Sequence, residues 1–309
     1  MNLSFSTRGW GDLSWEELVE SALDMKFSGI EVYNLQKFPC LTGRGGPFHK
    51  HNVAAAVRQL RDQKLTVPCF DTSMDISESA ANADVIAELM DYARDARVPY
   101  VVGWASSENE EMIRANLERL LPLAEERGIC LLIKTSGIYA DTARLRALLE
   151  SYASDYLGTL WDMHHPYRDF GESADTTIKN LGTYVKHVHL RDSDDKDTYN
   201  LIGEGNLPVA DMMRALSSIN YDGFISLEWK PEWMEDLTDR EVIFPHFVNF
   251  MSRFNNPRTR KKSLYYNHDG TGQYVWKKDD LIDLTFPQVL DRMVEEFPDQ
   301  YAFKYTTLD

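Results

Sequence analysis

Four side chains in this sequence could do chemistry together. Asp162 stands in LWDMHHPYR (160–168), His189 in VKHVHLRDSD (185–194) and Glu228 in YDGFISLEW (221–229), each at the end of an apolar run. A carboxylate, an imidazole and a second carboxylate are a ligand mix that suits a divalent ion such as Mn²⁺, Mg²⁺, Co²⁺ or Zn²⁺. A lone DxxH or HxH arises often by chance; three such residues closing three successive strands is a stronger signal. The fourth side chain is Lys134, which follows the apolar run ICLLI at 129–133. A protonated lysine has three donors and no lone pair, so it cannot ligate a metal.

The elements that must position these residues are legible as a rhythm. Eight short apolar runs occur in the first 255 residues: LSFS (3–6), GIEVY (29–33), LTVPCF (65–70), YVVGW (100–104), ICLLI (129–133), LGTLWDM (157–163), YVKHVHL (184–190) and GFISLE (223–228). Between them lie segments with apolar residues at helical spacing, among them 14–27, 53–64, 83–96, 111–128 and 143–153. Asp12 or Ser14 suits the first helix as a cap, with Glu17 completing a capping box after Ser14. Gly128 sits where a left-handed residue ends a helix. Eight strand–helix units of about 30 residues predict a (β/α)8 TIM barrel of ~250 residues, a fold that gathers function at the C-terminal ends of its strands. Continuous rather than alternating apolar strands fit a parallel sheet covered on both sides. A doubly wound sheet would favour a Gly-rich phosphate loop, and the turn after strand 1 reads STRGWGD, not GxGxxG.

After residue 254 the texture changes. NNPRTRKKS (255–263) is polar, basic and broken by proline, so a linker is expected over 255–280. Beyond it, TFPQVLDRMVEEFPDQ reads as one amphipathic helix and AFKYT (302–306) as the start of a strand. One helix and one strand cannot bury a core alone, so the tail over 281–309 either docks on the barrel or begins a further domain.

Composition narrows the function classes. The chain has 309 residues, is 43% apolar and 12% aromatic, and carries a net charge of −16. That charge repels nucleic acid and anionic membranes. No run approaches the ~18 apolar residues of a membrane span. The start MNLSFSTRGWGD lacks the features of a secretory signal, so a cytoplasmic location is expected. Cys40, Cys69 and Cys130 are far apart and read as reduced, mostly buried thiols.

The chain resembles the xylose isomerase-like sugar phosphate isomerase/epimerase family, a TIM-barrel group. The resemblance runs over 1 to about 250, through GIEVYN (29–34), LWDMHHPYR, VKHVHLRDSD, LIGEGNLPVADMMRAL (201–216) and YDGFISLEW. It implies a four-ligand metal site, of which Asp162, His189 and Glu228 are the matching residues. It also implies that His165, Arg191 and Glu204 lie near a hydroxy-ketone substrate, and that acid/base residues work through an enediolate stabilised by the metal. In relatives the strand-5 position is a glutamate; here it is Lys134. An ammonium in place of a carboxylate removes a ligand and adds a repulsion of ~4 kcal/mol at ~4 Å and an effective dielectric of ~20. Metal binding should be weakened strongly. Four readings stay open: Lys134 replaces the ion and pairs with Asp162 and Glu228; it swings away and a three-ligand metal persists with Glu228 as sole acid/base carboxylate; it is itself a base or Schiff-base lysine; or it is an ordinary rim lysine.

Asp71 ends strand 3 and Trp104 ends strand 4; Trp10, Tyr33 and Trp104 suit the walls of a sugar pocket. His49 and His51 lie in GRGGPFHKHN, a candidate lid. The tail DLIDLTFPQVLDRMVEEFPDQYAFKYTTLD looks like the opening of adenylate-forming, AMP-binding enzymes of the acyl-CoA synthetase type, which implies a barrel fused to a ligase. The leading expectation is an isomerase or epimerase of a sugar or polyol hydroxy-ketone or its phosphate, with dehydration of a polyol ketone as a close variant. The competing one is a non-catalytic ligand-binding or regulatory barrel beside the ligase. A metal-dependent abasic-site endonuclease is disfavoured by the acidic charge. A homo-oligomer is compatible with the composition.

Overall fold

The apolar runs become the staves of a closed barrel. The computed structural model describes residues 1–255 other than 235, 236 and 238, together with 287, 288 and 291. Its strands are β1 (Asn2–Ser6), β2 (Gly29–Tyr33), β3 (Cys69–Asp75), β4 (Tyr100–Ala105), β5 (Cys130–Gly137), β6 (Leu157–Asp162), β7 (Val185–Leu190), β8 (Asp192–Ser193), β9 (Tyr199–Asn200) and β10 (Phe224–Leu227). Eight of them pair in parallel in the order β1-β10-β7-β6-β5-β4-β3-β2, and β1 closes the ring by pairing Asn2 with Phe224. The remaining two, β8 and β9, form a small antiparallel hairpin after β7. The expected (β/α)8 barrel is therefore the fold.

The helices follow the predicted periodicity: α1 (Trp15–Asp24), α2 (Pro39–Thr42), α3 (Val53–Asp62), α4 (Ala80–Ala96), α5 (Glu110–Arg127), α6 (Thr142–Tyr152), α7 (His164–Phe170), α8 (Ala174–Leu181), α9 (Val209–Ser218) and α10 (Arg240–Asn255). Ser14, not Asp12, caps α1, through a full capping box with Glu17. Gly128 ends α5 at φ +66°. Inside the barrel, Cys69, Val102, Leu132 and Leu160 meet from four neighbouring strands. Burying a side chain of this size stabilises by about 1.5–3 kcal/mol.

Strand 3 departs from the expected 65–70. Pro68 has no N–H to give the sheet, so regular pairing starts at Cys69 and runs on to Asp75. The β3–β4 register then slips between Asp71 and Met74, where Ser73 takes φ 52°. Thr72 closes the bulge by donating to the Val102 carbonyl at 2.6 Å and accepting from Met74 N at 3.0 Å. Asp71, before the slip, and Trp104, beyond it, both reach the barrel mouth, where Trp104 Nε1 donates to the Ser73 carbonyl at 3.0 Å.

The chain divides into two units, Met1–Phe250 and Met251–Asp309. The expected linker over 255–280 and the tail over 281–309 lie almost wholly outside the described residues, as does the ligase-like resemblance placed there. Among the described residues no helix is long and apolar enough to cross a membrane. All three cysteines are free, with Cys40 exposed, Cys69 buried and Cys130 partly buried.

Candidate active site

Parallel strands end on one side, so their last residues share a mouth. Asp71 comes from β3, Lys134 from β5, Asp162 from β6 and His189 from β7, while Glu228 directly follows β10. The register sets Asp162 beside His189, and His189 beside Ser226, two residues before Glu228. The Lys134 ammonium lies among three acids, 3.4 Å from Glu228 Oε1, 3.5 Å from Asp162 Oδ2 and 3.8 Å from Asp71 Oδ2. None of these is the 2.7–2.9 Å of a tight charge-assisted hydrogen bond, so the ammonium keeps donor capacity for an incoming oxygen.

Two guanidinium groups join it. Arg191 binds Glu228 Oε2 and reaches Asp162 Oδ2 at 3.1 Å. Arg8, just past β1, binds Glu228 Oε1. Glu228 is fully buried and receives three cations. Burial alone would raise the Asp162 carboxyl; Arg191, His165, Lys134 and His189 outweigh it and hold the group well below the usual carboxylate range.

His165 stands on α7. Arg191 can only donate, so its 2.8 Å contact makes His165 Nε2 the acceptor. Nδ1 then carries the proton and donates to Asp169 Oδ2 at 2.9 Å, one helical turn on. Deeper in the barrel, His187 Nε2 and His189 Nε2 both donate to Glu31 Oε2, at 2.8 and 2.7 Å. Burial would raise the Glu31 carboxyl, but the two histidines draw it well below its ordinary range. The other ring nitrogen of His189, Nδ1, lies 3.8 Å from Glu228 Oε2 and has no hydrogen-bond partner among the described residues.

Over these groups opens a cavity of about 300 Å³. Its charged and aromatic walls are Arg8, Tyr33, Asp71, Trp104, Lys134 and His165, with Ser73, Ser136 and Gly137 between them. The volume is at the small end of ligand sites, the scale of a sugar-sized polar molecule.

Asp162, His189 and Glu228 offer ligand atoms within 4.8 Å of one another, which is a donor set for a cation. A divalent ion nevertheless does not fit the arrangement. Both carboxylates already hold Lys134 and Arg191, and Glu228 holds Arg8 besides. An ion there would meet each of these positive groups at a cost of roughly 8 kcal/mol per pair, two unit charges against one at ~4 Å and an effective dielectric of ~20.

The expected site residues divide into three sets. Lys134, His165, Asp71 and Trp104 line the cavity. Asp162, His189, Arg191 and Glu228 lie buried among the same charges but off its wall. Trp10 and Glu204 are not brought there. Trp10 is core, 5% exposed, with its ring 5.1 Å from Phe244. Glu204 is exposed on the loop that Asp192 organises by accepting from Gly203 N and Gly205 N. His49 and His51 face each other at 5.1 Å and do not line the cavity. Sequence reasoning missed Arg8, Glu31, His187, Asp169 and Ser136. A lone acid inside GIEVY and an acid four residues after His165 were the available signals.

Residues 19–250 match the family model described as a xylose isomerase-like TIM barrel. An uncharacterised protein of Methanocaldococcus jannaschii is 28% identical over 60% of this chain, which spans 62% of that protein's length. The fructoselysine 3-epimerase of Escherichia coli O157:H7 is 22% identical over 76% of the chain and 93% of its own length. Among solved structures, an L-ribulose 3-epimerase superposes with a TM-score of 0.68 at 17% identity, over 87% of this chain and 99% of that one.

Proposed function

The chain belongs to the xylose isomerase-like TIM-barrel family, and from that premise we propose that it is an isomerase or epimerase of sugar-like hydroxy-ketones whose Lys134 ammonium stands in for a ligated ion. The observation that carries this reading is the ammonium on the cavity wall, between Asp71, Asp162 and Glu228. Two relatives named as sugar 3-epimerases support the substrate class.

In this reading the carbonyl oxygen of the substrate sits on the Lys134 ammonium. The proton on the adjacent hydroxyl-bearing carbon leaves to His165 Nε2, whose lone pair accepts from Arg191 here and is released when that guanidinium turns to the substrate. Asp169 steadies the imidazolium that forms. Negative charge moves to the oxygen on Lys134 and gives an enediolate, stabilised by a cation already held in place by Asp71, Asp162 and Glu228. Asp71, three strands from β6 around the ring, is the second proton carrier. Return of a proton to the same carbon from the other face gives an epimer, and return to the former carbonyl carbon gives an isomer. Glu228 anchors Arg8, Arg191 and Lys134 and moves no proton.

That clamped Glu228 also favours a second reading, a barrel that binds a hydroxy-ketone without turning it over. The test is solvent exchange. The protein is incubated in D₂O with a panel of ketoses, ketose phosphates and keto-acid sugars, with and without chelator, and the C–H signals are followed by NMR. Loss of a carbon-bound proton signal, insensitive to chelator, is expected. Binding without exchange across the panel selects the second reading. Exchange that a chelator abolishes rejects the role of the ammonium.

A further inference from the structure

A second cavity lies outside the ring of strands, between α5 and α6. Its volume is about 210 Å³, below the range of sites for drug-sized ligands, so it fits a small molecule. None of its lining residues belongs to the cavity at the barrel mouth. The two meet along the chain. The end of β5 walls the first with Ser136 and Gly137, and the turn Ile138–Ala140 that follows brings Tyr139 to the second.

Tyr139 is the unusual member of this wall. The residue is 2% exposed, yet its hydroxyl forms no hydrogen bond among the described residues. Buried hydroxyls are normally paired, and one left without a partner lowers stability. Burial pushes this hydroxyl up to about 12, against Arg144 and Arg114 and with Glu110, so it is a proton donor at neutral pH. The two guanidinium groups differ. Arg144 is taken, by Glu108 at 2.6 Å and Glu110 at 3.1 Å. Arg114, exposed at the rim, forms no salt bridge among the described residues; its charge acts on the hydroxyls of Tyr139 and Tyr152.

The rest of the wall is apolar: Ile113, Ala147 and Leu148, of which Ile113 and Leu148 are buried. An apolar surface beside one unmatched cation and one O–H donor has a definite complement. Both polar groups donate, so the partner must accept. A carboxylate accepts from both and offers Arg114 the bidentate geometry that a guanidinium fits. A dianion would meet Glu110 on the same wall with twice the repulsion of a monoanion. A polyol would set hydroxyls against Ile113 and Leu148, where they find no partner.

We propose that this cavity is a second ligand site, for a small monocarboxylic acid with an apolar body. The carboxylate rests on Arg114 and the Tyr139 hydroxyl, and the body on Ile113 and Leu148. The site is independent of the hydroxy-ketone reading, since the two share no residue.

The test titrates the whole protein with benzoate in a calorimeter, beside benzamide and acetate. Saturable binding of one benzoate per chain is expected. Benzamide keeps the ring without the charge, and acetate keeps the charge without the ring; each should bind at least about tenfold more weakly. Arg114→Gln and Tyr139→Phe should each weaken benzoate by about tenfold, as loss of one charge-assisted contact does. Arg114 is exposed and pairs with no acid, so its replacement should leave the fold intact. Tyr139→Phe removes a hydroxyl without a partner and should not lower the melting temperature of the free protein. Benzoate that binds both variants with full affinity is seated elsewhere, the cationic barrel mouth included, and overturns the proposal. No saturable binding, or benzamide as tight as benzoate, overturns it too.

Discussion

Lys134 Nζ lies 3.4 Å from Glu228 Oε1, a cation from β5 facing the acid that follows β10 across the barrel. Lys134 is one of three cations on Glu228, with Arg8 and Arg191, and the one that stands at a strand end between both buried acids. Lys134→Glu should remove one positive charge, add a carboxylate that Arg8 or Arg191 can take in exchange, and strengthen metal binding by the cup. Mn²⁺ should raise the melting temperature of that variant by several degrees and leave the parent unmoved. An equal shift in both proteins would show that Lys134 does not control the cup.

Lys134→Met tests the same pair from the side of stability. It leaves Asp162 and Glu228 buried with one positive partner fewer. Breaking a buried pair from one side costs on the order of 3 kcal/mol. A urea midpoint close to the parent's would mean that Arg191 and Arg8 suffice.

Asp169→Asn should lower kcat by about a hundredfold, the lower end of a general-base contribution, with KM little changed. The residue touches His165 Nδ1 and Lys196, not the cavity wall. A change confined to KM would remove His165 from the proton path.

Acid stability should depend on Asp75. Burial would raise its carboxyl, but Ser106 and Ser77 donate to it and hold it below its ordinary value. Its Oδ1 accepts from Ser77 N at 2.8 Å and Ser77 Oγ at 2.5 Å. A depressed acid stabilises the fold above its unfolded value of ~3.9, and that contribution is lost as pH falls through the folded value. Asp75→Asn should flatten the loss of stability below about pH 4. An unchanged acid limb in denaturant titrations would put that loss elsewhere.

Gly137→Ala should strain the end of β5. The residue has φ +59°, and a Cβ would stand 2.1 Å from the Ala105 carbonyl oxygen. A cost of ~1–3 kcal/mol follows from the backbone alone. Because Gly137 shares the cavity wall with Lys134, ligand affinity should fall with it.

Much of this was legible in the linear chain, for definite reasons. Apolar runs at regular intervals mark strands buried on both faces, so all eight staves could be seen. Strand 3 was misplaced because Pro68 looks apolar in a run while lacking the donor that pairing needs. Lys134 stood out because a cation after five apolar residues has few places to go. Arg8 did not, since the short turn after β1 carries no spacing that says which way its side chain bends. Trp10 misled for the opposite reason: an aromatic beside a strand end serves a wall or a core equally well, and here Phe244 claims it. Glu31 was hidden by its setting, because an acid within GIEVY reads as solvent-facing until two histidines of β7 are seen to meet it.

The ammonium among the acids also bears on how the molecule assembles. Two carboxylates that must be dehydrated together would repel each other on the way to the native state. Here their counter-charge is tethered to the same backbone, on the strand adjacent to β6. The acids acquire it when β5 docks against β6, so on the reading that this ammonium stands in for an ion, refolding yield should be indifferent to trace ions in the buffer.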